Sequence, residues 1–233
     1  MRVDQSLSRR SPLLSSQPSS EEVQPFVIIV DDDLSLREAL YELVLSAGFR
    51  PICFGSTHEL LEADVLDGPG CLILDVRMPG ASGLDLQHYL AQSGNPKPII
   101  FLTGHGDIPM TVQAMKAGAV DFLTKPVRDQ TLLDAVIAGI AMDVTLRQER
   151  LVAKRNLERF ESLTPREREV LCEVAVGRVN KQIAFDFGIS VVTVKLHRSN
   201  IMRKMEVTSI GELIRAWETL PPPVRKAGTH PEL

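Results

Sequence analysis

VIIVDDD, residues 27–33, sets four apolar residues directly ahead of three consecutive carboxylates. The first half favours burial and the second resists it. Unit charges about 4 Å apart repel by roughly 4 kcal/mol at an effective dielectric near 20. Such crowding at the end of a buried strand calls for a compensating cation.

Further short apolar runs follow: PICF (51–54), CLILD (71–75), PIIFLT (98–103) and VDFL (120–123). Amphipathic stretches lie between them. LSLREALYELVLSAG puts Leu36, Leu40, Leu43, Val44 and Ala47 on one helical face and ends at Gly48, a suitable C′ residue. Ser56 with Glu59, and Ser82 with Asp85, have capping-box spacing at two more helix starts. Five continuous apolar strands separated by helices predict a doubly wound α/β domain with a parallel sheet covered on both faces. It spans residues 25–142.

The rest of the 233-residue chain divides by charge. Residues 24–143 carry 7 Lys+Arg against 16 Asp+Glu, a net −9, whereas residues 144–220 carry 14 against 10, a net +4. This asymmetry predicts an acidic, metal-binding or regulatory half joined to one that meets polyanions. Residues 1–24 contain seven serines and no apolar periodicity, so they are expected to be disordered. From Thr131 to about Leu163 the pattern is helical, the last helix of the α/β domain running into a charged linker at 143–160, solvated in preference to a coiled-coil seam because the stretch is short. Thr164-Pro165-Arg166-Glu167 combines a capping box with Pro at the first helical position. It opens a small all-α region of four helices at 161–220, and 221–233 reads as a flexible tail.

Cys53, Cys71 and Cys172 are widely spaced and read as buried thiols in a reducing compartment, neither a disulfide framework nor a zinc site. No apolar run approaches 18 residues, and no apolar segment follows Arg9 and Arg10. A membrane span and a secretory signal are therefore not expected, and a cytoplasmic location is.

In doubly wound sheets, ligands bind beyond the carboxyl ends of the strands. Asp31, Asp32 and Asp33 follow the first strand, Asp75 ends the third, Thr103 ends the fourth and Lys125 follows the fifth. Close carboxylates suit a hard cation, and Mg²⁺ is held by one or two of them together with phosphate oxygens. A further carboxylate can act as nucleophile toward phosphorus, while a hydroxyl and an ammonium balance the charge of a transferring phosphoryl group. Asp33 reads more simply as a helix N-cap.

IVDDD, LILDVRMPG, FLTGHGD and VDFLTKP, in that order, resemble the receiver domain of bacterial two-component response regulators. The resemblance implies that Asp75 is phosphorylated by a sensor histidine kinase. It implies Mg²⁺ at Asp31, Asp32, Asp75 and the backbone carbonyl of Arg77, with Thr103 and Lys125 contacting the phosphoryl group. Phe122 matches the aromatic switch residue, and Lys125–Pro126 is expected to be cis. A rival reading, an Mg²⁺-dependent phosphatase, needs a second Asp where Arg77 stands, so no enzyme is expected.

GISVVTVKLHRSNIMRKM (188–205) has no acidic residue from Ile189 to Met205 and carries Lys195, Arg198, Arg203 and Lys204. Ser190 suits an N-cap, and Gly188 suits the end of the helix NKQIAFDF before it. Two short helices joined by a tight turn, the second basic, form a helix-turn-helix pattern. At 100° per residue, Val194, Ile201 and Met205 share one face, and Val192, Leu196, Ser199 and Arg203 lie opposite.

LTPREREVL together with GRVNKQIAFDFGISVVTVKLHRSNIMRKM resembles the LuxR/NarL-type DNA-binding domain, and the pair of domains resembles FixJ-type regulators. The resemblance implies base-facing Lys195, Leu196 and Ser199, and phosphate contacts by Thr193, Arg203 and Lys181. It further implies duplex operator DNA and RNA polymerase as partners, a homodimer formed on phosphorylation, and transcription activation. A helical output that binds protein or RNA is the third reading, separable by specific retention on duplex DNA.

Overall fold

The computed structural model describes residues 24–94, 96–104 and 106–226. Five strands, β1 Phe26–Val30, β2 Arg50–Phe54, β3 Gly70–Leu74, β4 Ile99–Thr103 and β5 Asp121–Thr124, form one sheet. All pairings are parallel, in the order β2-β1-β3-β4-β5. The intervening helices are α1 Leu34–Ser46, α2 Thr57–Glu62, α3 Gly83–Gln92 and α4 Ile108–Lys116.

The continuous apolar runs follow from two-sided burial. Ile28, Val30, Leu72, Leu74, Ile99 and Phe101 pack with Leu60, Leu86, Leu90 and Ala114 of α2, α3 and α4. Their strand neighbours Val27, Ile29, Cys71, Ile73, Ile100 and Leu102 pack on the other face, with Leu40 and Val44 of α1. Alternate side chains leave a strand on opposite faces, so a strand covered on both sides has no polar position. The chain leaves β1 toward one face and β3 toward the other, which opens a crevice between their carboxyl ends.

Helix α5, Asp129–Glu161, runs unbroken for 33 residues through the boundary expected at 142. Its first half completes one face of the sheet with Leu132, Ala135 and Val136. Its last turns enter a second core with Leu157 and Phe160. That core is closed by α6 Pro165–Ala175, α7 Asn180–Asp186, α8 Val191–Lys204 and α9 Ile210–Glu218. Thr164 caps α6 with the full reciprocal box, as does Ser82 for α3.

The tail differs from expectation. Pro222–Lys226 forms a short helix, α10, because proline presets the helical φ and Val224 packs on the second core. Residues 1–23 and 227–233, which carry the expected disorder and the end of the expected tail, lie outside the described residues.

Candidate functional site

The crevice at the carboxyl ends of β1 and β3 holds the acidic group. One carboxylate oxygen from each of Asp31, Asp32 and Asp75 lies within 4.8 Å of the others. Asp31 and Asp75 are buried, and Asp32 is exposed to solvent. Main-chain N–H groups orient the buried pair: Asp33 donates to Asp31 Oδ1 at 3.0 Å and Arg77 to Asp75 Oδ1 at 3.2 Å. Asp33 itself caps α1, accepting from the N–H groups of Ser35 and Leu36.

Lys125 reaches in from the loop after β5. Its Nζ lies 2.5 Å from Asp31 Oδ2 and 2.9 Å from Asp75 Oδ2. Burial pushes the Asp31 carboxyl up, and the hydrogen bond from Lys125 recovers part of that shift. Burial alone would lower Lys125, but its bonds to Asp31 and Asp75 outweigh it and hold the ammonium above its ordinary range. The Lys125–Pro126 peptide is cis, and the Lys125 N–H donates to the Thr103 carbonyl at 2.9 Å. Thr103 is buried at the end of β4. Phe122 is half-buried on β5, its ring centroid 5.8 Å from that of Phe101.

An all-oxygen, anionic donor set of this size fits a hard cation such as Mg²⁺, whose oxygens sit about 2.1 Å away. Asp31, Asp32 and Asp75 supply the carboxylates. Gly83 is a site residue that the sequence reading passed over. A Cβ there would meet the Asp75 carbonyl oxygen at 2.3 Å, so glycine lets α3 begin directly beside the central carboxylate. A glycine directly after the capping-box Ser82, at a helix start where other residues serve equally well, was the available signal.

The second candidate surface is α7, its turn and α8. Ser190 Oγ accepts from the Thr193 N–H at 3.1 Å and lies 2.8 Å from the Thr193 hydroxyl. Val194, Ile201 and Met205 are buried. Lys195, Leu196, Ser199 and Arg203 project to solvent, as does Lys181 on α7, whereas Thr193 is half-buried. The remaining two cations of the basic run are engaged within the fold. Arg198 donates to Asn180 Oδ1 at 2.7 Å, and Lys204 Nζ pairs with Glu167 Oε2 at 2.6 Å. Lys181, Lys195 and Arg198 line one groove of about 720 Å³.

Residues 27–137 match the family model described as response regulator receiver domain, and residues 161–217 match bacterial regulatory proteins, luxR family. Nodulation protein W of Bradyrhizobium diazoefficiens is 50% identical over 83% of this chain and 86% of that protein.

The chain belongs to the response regulators.

This regulator is also 39% identical to the transcriptional regulatory protein FixJ of the same organism, over 81% of this chain and 92% of FixJ. The solved structure of response regulator StyR superposes with a TM-score of 0.67 at 48% identity, covering 84% of this chain and 98% of StyR. The flavodoxin-like receiver followed by a helical DNA-binding region agrees with the expected architecture. Among the described residues, no helix is long and apolar enough to cross a membrane.

Proposed function

We propose that this response regulator is switched by phosphorylation of Asp75 and acts as a dimeric, sequence-specific activator of transcription. The observation that carries the reading is the convergence of Asp31, Asp32 and Asp75 with the Lys125 ammonium at one sheet edge. Asp75 is the central carboxylate, tied to both the Arg77 N–H and Lys125.

A carboxylate oxygen of Asp75 attacks the phosphorus of a phosphohistidine on the sensor kinase. The new O–P bond forms as the P–N bond breaks, and the imidazole leaves with the bonding pair. Asp31 and Asp32, with Asp75 and the Arg77 carbonyl, would hold Mg²⁺, which neutralises developing charge on the phosphoryl oxygens. Lys125 exchanges its bond to Asp75 for one to the phosphoryl group, and the Thr103 hydroxyl donates to another of its oxygens. At pH 7 the modification adds about 1.5 to 2 negative charges.

On the output side, α8 enters the major groove. Lys195, Leu196 and Ser199 read base edges, while Lys181, Thr193 and Arg203 hold phosphates; only the former group specifies sequence. RNA polymerase is the partner through which a bound activator works, and the location is cytoplasmic.

The test is phosphotransfer. Purified protein incubated with a labelled histidine kinase and Mg²⁺ should acquire label. Asp75→Asn should acquire none, because an amide is no nucleophile for this transfer, and Asp32→Ala should acquire much less. Labelling of Asp75→Asn at the wild-type rate would overturn the assignment.

A further inference from the structure

At the opposite edge of the sheet, three charged side chains are packed where no chemistry has been assigned. Lys97 and Asp143 are both buried. Asp143 Oδ2 accepts from the Gly70 N–H at 2.8 Å and from Arg147 Nε at 2.6 Å, and Lys97 Nζ lies 3.7 Å from its Oδ1. Lys97 also donates to the Gly68 carbonyl, as does Arg147, whose Nη1 reaches the Asp67 carbonyl at 2.7 Å. One turn on, Arg150 donates to the Pro96 carbonyl at 2.9 Å. Gly70 lets β3 begin close against β1: its φ is +140°, and a Cβ there would meet the Phe26 carbonyl oxygen at 1.8 Å.

The position of the cluster along α5 gives it meaning. The buried positions facing the sheet are Leu132, Ala135, Val136 and Gly139; the next is Asp143, and after it none until Asn156, at the second core. The apolar seam therefore ends one turn before the cluster. Beyond it, the helix crosses to the DNA-binding half with its apolar side chains Val144, Leu151 and Val152 exposed and packed on neither core. Isolated helices shorter than about 12–15 residues are marginal in water, so such a segment stays helical only if both ends are held. At its far end the hold comes from Leu157 and Phe160 in the second core and from Asn156, which donates to Thr219 Oγ1 at 3.0 Å. At its near end the hold is ionic. Buried ion pairs are weak sources of net stability, and their best-attested use is to fix register.

We propose that Lys97, Asp143 and Arg147 are positioning residues that lock α5 to the amino-terminal ends of β3 and β4, making the linker a rigid lever. The lock sets how the DNA-binding half is carried and takes no part in the phosphorylation chemistry. Opening it turns the segment around residues 144–155 into a flexible tether while both cores stay folded.

Spin labels at Glu62→Cys and Glu218→Cys, in a full-length Cys53→Ser background, report the distance across the lever by pulsed dipolar spectroscopy. The unaltered cluster should give one narrow distance population. Asp143→Ala should broaden it, and so should Arg147→Ala, which removes only a half-exposed side chain and keeps the receiver core intact. Glu149→Ala, an exposed change on the same helix, should leave it narrow. Amides of residues 144–152 should exchange about tenfold faster in Arg147→Ala, while strand amides keep their protection. A broad population with the cluster intact, or a narrow one with slow linker exchange in Arg147→Ala, overturns the proposal.

Discussion

Arg203 and Lys195 are both cations on α8, and the fold gives them different surroundings. Lys195 lines the groove beside Lys181 and Arg198, whereas Arg203 stands exposed near the helix end. Lys195→Ala and Leu196→Ala should narrow the gap between operator and random DNA, since a good base contact discriminates by about 1–3 kcal/mol. Arg203→Ala should weaken both alike and lower the slope of log K against log salt by about 0.9. Titrations at several salt concentrations separate the two roles, and an unchanged slope in Arg203→Ala removes it from the phosphate set. Lys97 offers a test by pH. Burial lowers it from 10.5 to about 8, with Asp143 opposing the shift. Between those values the unfolded chain binds more protons than the folded one, so this group makes stability rise with pH across that window. Urea midpoints should therefore climb more from pH 8 to 10 in wild type than in Lys97→Met, and parallel curves would contradict the assigned shift.

At the scale of elements, side chains cap the starts of α1, α2, α3, α4, α6, α8 and α9, and the acidic site depends on one of these starts. Helix α3 begins against the Asp75 carbonyl because residue 83 has no Cβ. Propensity alone makes Gly→Ala in a helix favourable by about 1 kcal/mol. Here the added carbon at 2.3 Å must push back α3 or β3, an overpacking cost of about 1–3 kcal/mol. Gly83→Ala should therefore melt at a lower temperature than wild type and accept phosphoryl label more slowly; a higher melting temperature would show that the contact relaxes freely. Helix α8 relies on Ser190, whose hydroxyl caps the Thr193 N–H. Ser190→Ala should cost about 1 kcal/mol and weaken specific and non-specific DNA binding together, read by thermal melts beside DNA titrations.

Across the whole molecule, the question is how charge at Asp75 reaches α8. Thr103 at the end of β4 and Lys125 just after β5 can answer that charge, and Phe122 lies on β5, three residues before Lys125. On the proposed switch, drawing Thr103 and Lys125 inward should leave room for the Phe122 ring to turn in and reshape the face formed by residues 107–141. That face already exposes Ile108, Val112, Met115 and Ile137, an apolar surface suited to a second copy. Moving a conformer from 1:99 to 99:1 takes about 5.5 kcal/mol of differential stabilisation, which the proposed switch requires of charge-assisted hydrogen bonds and dimer contacts together. The expected outcome is a monomer that dimerises with beryllofluoride and then binds paired half-sites about 10 bp apart, or a multiple of that, far more tightly. Sedimentation and operator titrations with and without the mimic check it. A protein already dimeric and equally tight without the mimic would sink the switch and leave DNA binding standing.

Much of this was legible before any coordinates, because the signals are local. Two-sided strand burial writes itself as unbroken apolar runs, capping as Ser82 with Asp85 and Thr164 with Glu167, and helix α8 as Val194, Ile201 and Met205 inside with Leu196, Ser199 and Arg203 outside. Periods of two and 3.6 residues act over a few positions, so one sequence displays them. The gathering of Asp31, Asp75, Thr103 and Lys125 at one end of the sheet was expected from their places at strand ends, but the tertiary structure alone decided the individual pairings. Lys125 lies between Asp31 and Asp75, Lys204 is taken by Glu167, and Lys97 and Asp143 bury their charges together across the edge of the sheet. An ion pair depends on separations of a few ångströms between residues tens of positions apart, and no periodicity encodes that distance. For the same reason the sequence showed the last helix of the receiver running on into a charged linker, while only the packed chain showed that it is pinned at Asp143.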